Sequence, residues 1–141
     1  MIAVDTNVLV YAHREESPQH QPALDRLRAL AEGASPWAIP VFCLGEFVGV
    51  VTHPKIFAPP SALNVAITAL NGLLESPSLR VLNPGLEFLN FFRNCVRDAD
   101  ARGNLAFDAQ IAAVCLEYGV NELLTLDRDF SRFPGLKLLH L

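Results

Sequence analysis

The first twelve residues, MIAVDTNVLVYA from Met1 to Ala12, carry the reading that decides the fold. Four apolar residues stand before Asp5, the content of a strand buried on both faces of a parallel sheet. Asp5 or Thr6 can then N-cap a helix whose first turns hold Val8, Leu9 and Val10. A buried strand that passes straight into a helix is the opening of a βαβ unit.

The same alternation continues along the chain. Gln21 to Glu32 keeps Ala23, Leu24, Leu27, Leu30 and Ala31 at helical spacing, and Gly33 and Pro36 stop it. Trp37 to Ile39 predicts a second strand. Pro40 opens a helix from Val41 to Thr52, which His53-Pro54 closes. Ser61, Asn64, Thr68, Asn71 and Glu75 recur as the polar stripe of an amphipathic helix from Ser61 to Glu75. That stripe, with Pro59-Pro60, argues against a membrane span in the uncharged stretch Ile56 to Leu74. Leu79 to Leu82 is a third strand, followed by helices from Glu87 to Arg102 and from Leu105 to Tyr118. Glu122 to Thr125 and Leu136 to His140 are strands that flank a turn or short helix at Asp127 to Phe130. The expectation is a single α/β domain over residues 1–141, with helices on both faces of a mostly parallel sheet.

Composition narrows the function classes. Hydrophobic residues make up 51% and charged ones 18%, enough for a core and too apolar for a disordered chain. Eleven Lys+Arg against 15 Asp+Glu give a formal charge of -4, which excludes a protein living on diffuse basic charge. Cys43, Cys95 and Cys115 form no CxxC pair, so neither a disulfide framework nor a zinc ribbon is expected, and reduced thiols fit the cytoplasm. Asp5 interrupts the opening apolar run and no basic segment precedes it, so no signal peptide is expected. The four histidines show no HExxH spacing, and GxSxG, P-loop and GxGxxG motifs do not occur.

The informative pattern is acidic. Asp5 is the only charged residue among positions 1 to 12, Glu46 the only one between Gly33 and Pro54, and Asp108 the only one from Gly103 to Leu116. A lone carboxylate in an apolar element is costly to bury unless something satisfies it. Glu46 shares a helix face with Phe42, Cys43, Gly49 and Val50, which aims it at the interior. Asp108 shares a face with the small Ala112 and Cys115. Asp5 and Asp127 follow strands, where open α/β sheets bind ligands, and Asp129 lies two residues on. Acids converging without Lys or Arg suit one or two hard divalent cations, Mg²⁺ or Mn²⁺, at which a phosphodiester can be hydrolysed. Taken singly, Asp5 and Asp108 can equally be helix caps, and Asp127 with Asp129 a local turn around Arg128. Joint placement carries the case. Arg14, Arg93, Arg97, Arg128 and Arg132 are the candidates for holding substrate phosphate.

MIAVDTNVLVYA, the block Glu46-Phe47-Val48, GNLAFDAQIAA and TLDRDFSRFPGL together resemble PIN-domain proteins, most of all the VapC toxins of toxin–antitoxin pairs. The resemblance runs from Met1 to about Leu136. It implies a three-layer α/β/α fold and a Mg²⁺- or Mn²⁺-dependent endoribonuclease. It makes Asp5, Glu46, Asp108 and Asp127 the four acids, with Asp5 and Asp108 as principal metal ligands. Asp129 is then a possible fifth, and Thr6, Asn7 and Thr125 support the cluster. It also implies a homodimer silenced by a VapB-type antitoxin whose tail covers the groove. Phe107 departs from the basic or prolyl residue common before the third acid. Competing readings are a catalytically silent PIN-like binding module and an aspartyl-phosphate phosphohydrolase. Asn7 stands where the latter needs a second Asp, and a receiver-type domain would need a paired Asp-Asp that is missing.

Overall fold

The computed structural model describes residues 1–141. Five strands, β1 (Ile2–Val4), β2 (Trp37–Pro40), β3 (Leu79–Leu82), β4 (Glu122–Leu124) and β5 (Lys137–Leu139), form one parallel sheet in the order β3-β2-β1-β4-β5. Six helices join them: α1 (Thr6–His13), α2 (His20–Glu32), α3 (Val41–Val51), α4 (Leu63–Leu74), α5 (Phe88–Asp98) and α6 (Leu105–Glu117). A short 3-10 turn spans Arg128–Arg132. α1 packs on α2 and α3, α3 on α4, and α5 on α6. Right-handed crossovers put these two groups on opposite faces, giving the three layers.

β1 is the central strand because it is apolar throughout, with Ala3 and Val4 fully buried. It pairs Ile2 and Ala3 with Trp37 and Ala38 on one side, and Ile2 to Val4 with Glu122 to Leu124 on the other. The chain builds outward through β2 and β3, then returns to the far side of β1. The strand order therefore reverses between β1 and β4, and the carboxyl ends of those two strands border the crevice where α/β sheets hold ligands. Trp37, Phe47, Phe130 and Phe133 are the largest fully buried side chains on either side of the sheet.

One helix ends earlier than expected. α5 stops at Asp98 rather than Arg102, because Asp100 takes a left-handed conformation (φ 47°) and Ala101 N bonds back to Val96 O at 2.9 Å. Asp tolerates that region better than most residues, and it ends the helix as a glycine would. α4 buries only Ala66 fully, leaving Leu63, Val65, Ile67 and Leu74 exposed beside Ile56. Its apolar residues outnumber the positions that the core can take. No helix is long and apolar enough to cross a membrane. Cys43, Cys95 and Cys115 are free and buried.

Candidate carboxylate site

Asp5 is the first residue beyond β1, and the sheet itself fixes it: its backbone N donates to Leu124 O of β4 at 3.0 Å. It is also the N-cap of α1, with Oδ1 accepting from Thr6 N at 2.7 Å. Its Oδ2 accepts from Thr125 Oγ1 at 2.7 Å and from Asn7 Nδ2 at 3.1 Å. Only 4% of the residue is exposed. Burial pushes its carboxyl up to about 6 against the opposing pull of the Thr125 and Thr6 hydrogen bonds, and the charges of Glu46 and Asp127 add to the rise. The cap reading of Asp5 is thus correct but incomplete, because one oxygen caps while the other faces a polar network.

That network ties the ends of β1 and β4 together. Thr125 Oγ1 donates to Asp5 and accepts from Asn7 Nδ2 (3.2 Å) and Asp127 N (3.0 Å), which exhausts a hydroxyl. Asn7 Oδ1 in turn accepts from Leu126 N at 3.3 Å. Asp127 caps the 3-10 turn, its Oδ1 accepting from Asp129 N at 2.9 Å. Asp127 is half-buried and Asp129 exposed. Asp108 sits half-buried in the first turn of α6. Burial first, then the charges of Asp127, Asp5, Glu46 and Asp129, raise it to about 7. The other four acids are thus near enough for their charges to act on Asp108.

Two expectations need correction. Glu46 does not point at the interior: it is exposed, flanked by the exposed Gly45 and Gly49. The core side of α3 is Cys43, Phe47 and Val51, spaced four apart, and Glu46 is rotated off that line to the rim. From there its charge still acts on Asp5 and Asp108. Arg14 is not free to hold RNA. Its guanidinium lies 4.3 Å from the centre of the Phe57 ring, donates to Pro59 O (2.9 Å) and Ser61 Oγ (3.1 Å), and pairs with Glu16. It buckles the 53–61 loop onto the end of α1. The other arginines remain on the surface, Arg93 donating to Asn90 Oδ1 at 2.7 Å, with Arg97, Arg128 and Arg132 exposed. Sequence reasoning missed the clasp that Arg14 makes with Ser61, since a partner 47 positions away leaves no periodic trace.

A family model described as PIN domain matches residues 2–136. The chain belongs to the PIN-domain family. Ribonuclease VapC43 of Mycobacterium tuberculosis is 38% identical to this PIN domain over 140 residues, covering 99% of this chain and 95% of its own. Among solved structures, VapBC2 from Rickettsia felis, bound to a DNA fragment from its promoter, superposes with a TM-score of 0.73 at 21% identity, covering 99% and 98% of the two chains. Mycobacterium tuberculosis VapC20, described as a sarcin-ricin loop cleaving toxin, gives 0.69 at 20% identity, covering 96% and 98%. Its relatives thus lie in the VapC branch of the family.

The donors of this PIN domain are of one chemical kind, carboxylate oxygen, with Thr and Asn behind them. None of the chain's three ion pairs, Arg14–Glu16, Arg102–Asp100 and Lys137–Glu122, reaches the cluster. Its charge is therefore uncompensated by the protein, and the mutual repulsion adds to the rise that burial causes in Asp5 and Asp108. As the side chains stand, no three of them form a closed ligand set. Donor type and charge fit a hard divalent cation, with water and substrate oxygen needed to complete its shell.

Proposed function

We propose that this protein is a metal-dependent endoribonuclease, the toxin of a VapBC-type pair, acting in the cytoplasm as one PIN domain. What supports the reading is the pair Asp5 and Asp127 at the sheet's switch point, bridged by Thr125, with Asp108 and Glu46 near enough for their charges to act there and no cation paired with any of them. Asp5 and Asp108 would hold Mg²⁺ or Mn²⁺, with Glu46 and Asp127 completing the cluster and Asp129 at its margin. Such an ion supplies charge neutralisation at the phosphodiester and a more acidic water. The protein's own part is to hold Asp5 rigidly through Thr6, Asn7 and Thr125, to keep that oxygen out of bulk solvent, and to take the proton of the attacking water on a cluster carboxylate. Arg128 and Arg132, beside Asp127, and Arg93 with Arg97 are the groups placed to meet phosphate.

The test is cleavage of total cellular RNA by the purified chain with EDTA, Mg²⁺ or Mn²⁺. Discrete cuts that require an ion are expected. The rival reading, a silent module acting through a partner, is favoured by the open ligand geometry and predicts no heat on calorimetric metal titration.

Removing the Thr125 hydroxyl tests the support of Asp5. Thr125→Val keeps the shape but strips a donor from Asp5 Oδ2 and an acceptor from Asp127 N. Metal affinity or cleavage rate is expected to fall roughly 10- to 100-fold, the cost typical of lost groups behind metal ligands, and Thr125→Ser to restore most of it. Equal loss in both variants would count against the hydroxyl.

For partners, the exposed Leu63, Val65, Ile67 and Leu74 of α4 supply an apolar face suited to a second copy of the chain. An apolar cleft between α1, α2 and α4, about 220 Å³ and lined by Leu9, Leu24, Leu27, Phe47 and Leu73, suits a VapB-type antitoxin helix. Sedimentation velocity reads the first claim. A monomer at micromolar concentration removes the dimer.

A further inference from the structure

Beside the carboxylates, between α1 and α3, lies a cavity of about 220 Å³. Thr6, Asn7 and Glu46 stand at its end next to Asp5, and Tyr11, Ile56 and Phe57 stand further along. Three of these residues already border or support the acid cluster, so the cavity is continuous with that site rather than a separate hollow. Most of its lining is apolar. Thr6 is 3% exposed, and its hydroxyl is buried against the Cys43 thiol rather than open to the cavity.

The outer wall is built, not incidental. Ile56 N and Phe57 N both donate to His53 O at 3.0 Å, and Ser61 N donates to Val51 O at 2.8 Å. His13 Nε2 and Arg14 both reach Ser61 Oγ, while Arg14 also covers the Phe57 ring. The buckle that withdraws Arg14 from RNA phosphate therefore holds Phe57 and Ile56 in place around the cavity.

We propose that this cavity seats one nucleobase of the RNA, that of the nucleotide beside the scissile phosphate, an inference that rests on the ribonuclease reading above. An acidic site on a chain of net charge -4 gains little from phosphate attraction close to the cluster. Single-stranded RNA is instead held by splaying bases against aromatic faces and reading their edges. Tyr11 and Phe57 supply the faces, and Thr6, Asn7 and Glu46 form the end of the cavity toward the cut. A hollow of this size admits a single heteroaromatic ring system.

Ile56 allows a clean test, because it is 53% exposed at the mouth and touches neither the acids nor the core. Ile56→Trp fills the cavity and Ile56→Ala widens it. Each variant is given total cellular RNA with Mg²⁺ or Mn²⁺, the cut ends are mapped, and kinetics follow on an oligoribonucleotide carrying the most frequent wild-type cut. The wild type is expected to show a base preference at one position next to the cut. Ile56→Trp should raise KM about tenfold and alter that preference, with kcat within about twofold and metal titration unchanged. Ile56→Ala should relax the preference. Cleavage with unaltered KM and preference in both variants overturns the nucleobase seat and leaves the ribonuclease standing. Unaltered KM with weakened inhibition by a VapB-type antitoxin also overturns it, and gives the cavity to the protein partner. No cleavage by the wild type with either ion removes the ribonuclease reading, and this seat with it.

Discussion

Asp108→Asn is expected to abolish metal-supported RNA cleavage and, in the same molecule, to raise the melting temperature of the metal-free protein. The loss should reach roughly a thousandfold or more, since an ion at such a site contributes several kcal/mol to the transition state and the proposed site makes Asp108 one of its two principal holders. The gain in stability follows from the charge on the folded side. Asp108 is raised to about 7 by burial and by four neighbouring acids, so at pH 7.5 the folded protein holds a charge that its surroundings resist. An amide of the same shape removes that charge. Asp5→Asn should also abolish cleavage but gain less stability. Asp5 Oδ2 accepts from both Thr125 and Asn7, and an amide nitrogen there would face two donors. Thermal melts with EDTA, paired with cleavage assays, read both effects. A variant inactive and less stable than wild type would mean that Asp108 is structural.

The second large effect is on the pH dependence of stability without metal. Asp5 is raised from its ordinary 3.8 to about 6 in the folded chain. The folded state therefore binds more protons than the unfolded one across that window, and stability is present at low pH and lost as pH rises through 6. For a residue this buried the loss is about 3 kcal/mol, or roughly 10 °C in melting temperature. Asp108 extends the decline toward 7 and beyond. His13 works the other way: burial, with the charge of Arg14, lowers it from 6.5, so its contribution is lost as pH falls through that range. Melting the wild type and Asp108→Asn across pH 4.5 to 8 separates the two trends. Saturating Mg²⁺ or Mn²⁺ should flatten the wild-type decline, because the ion binds the deprotonated cluster and stabilises only the folded state. A melting temperature that rises with pH in EDTA would refute this account.

Most of the fold is legible in the sequence because punctuation and periodicity agree: Pro36, Pro40 and Gly119 bound elements whose apolar residues keep the matching period. Asp5 and Asp108 stand out in the sequence as lone charges in apolar elements, and Asp127 as the acid that follows a strand. Glu46 shows the limit of helical geometry. Its neighbours name a face, but which face meets the core depends on how α3 sits against the sheet, and the core chose Cys43, Phe47 and Val51. Arg14 shows a second limit. A basic residue after a helix reads as a surface charge until the 53–61 loop folds over it.

The bond from Thr125 to Asp5 joins positions 120 apart in the chain. During synthesis β1 and α3 emerge long before β4, so Asp5 and Glu46 exist together on a nascent chain that lacks the strand holding Asp5 in place. Contacts of this sequence separation form late and slowly. A truncated or half-made molecule is thus an unarmed one, and the site appears in a single step once β4 docks against the free edge of β1.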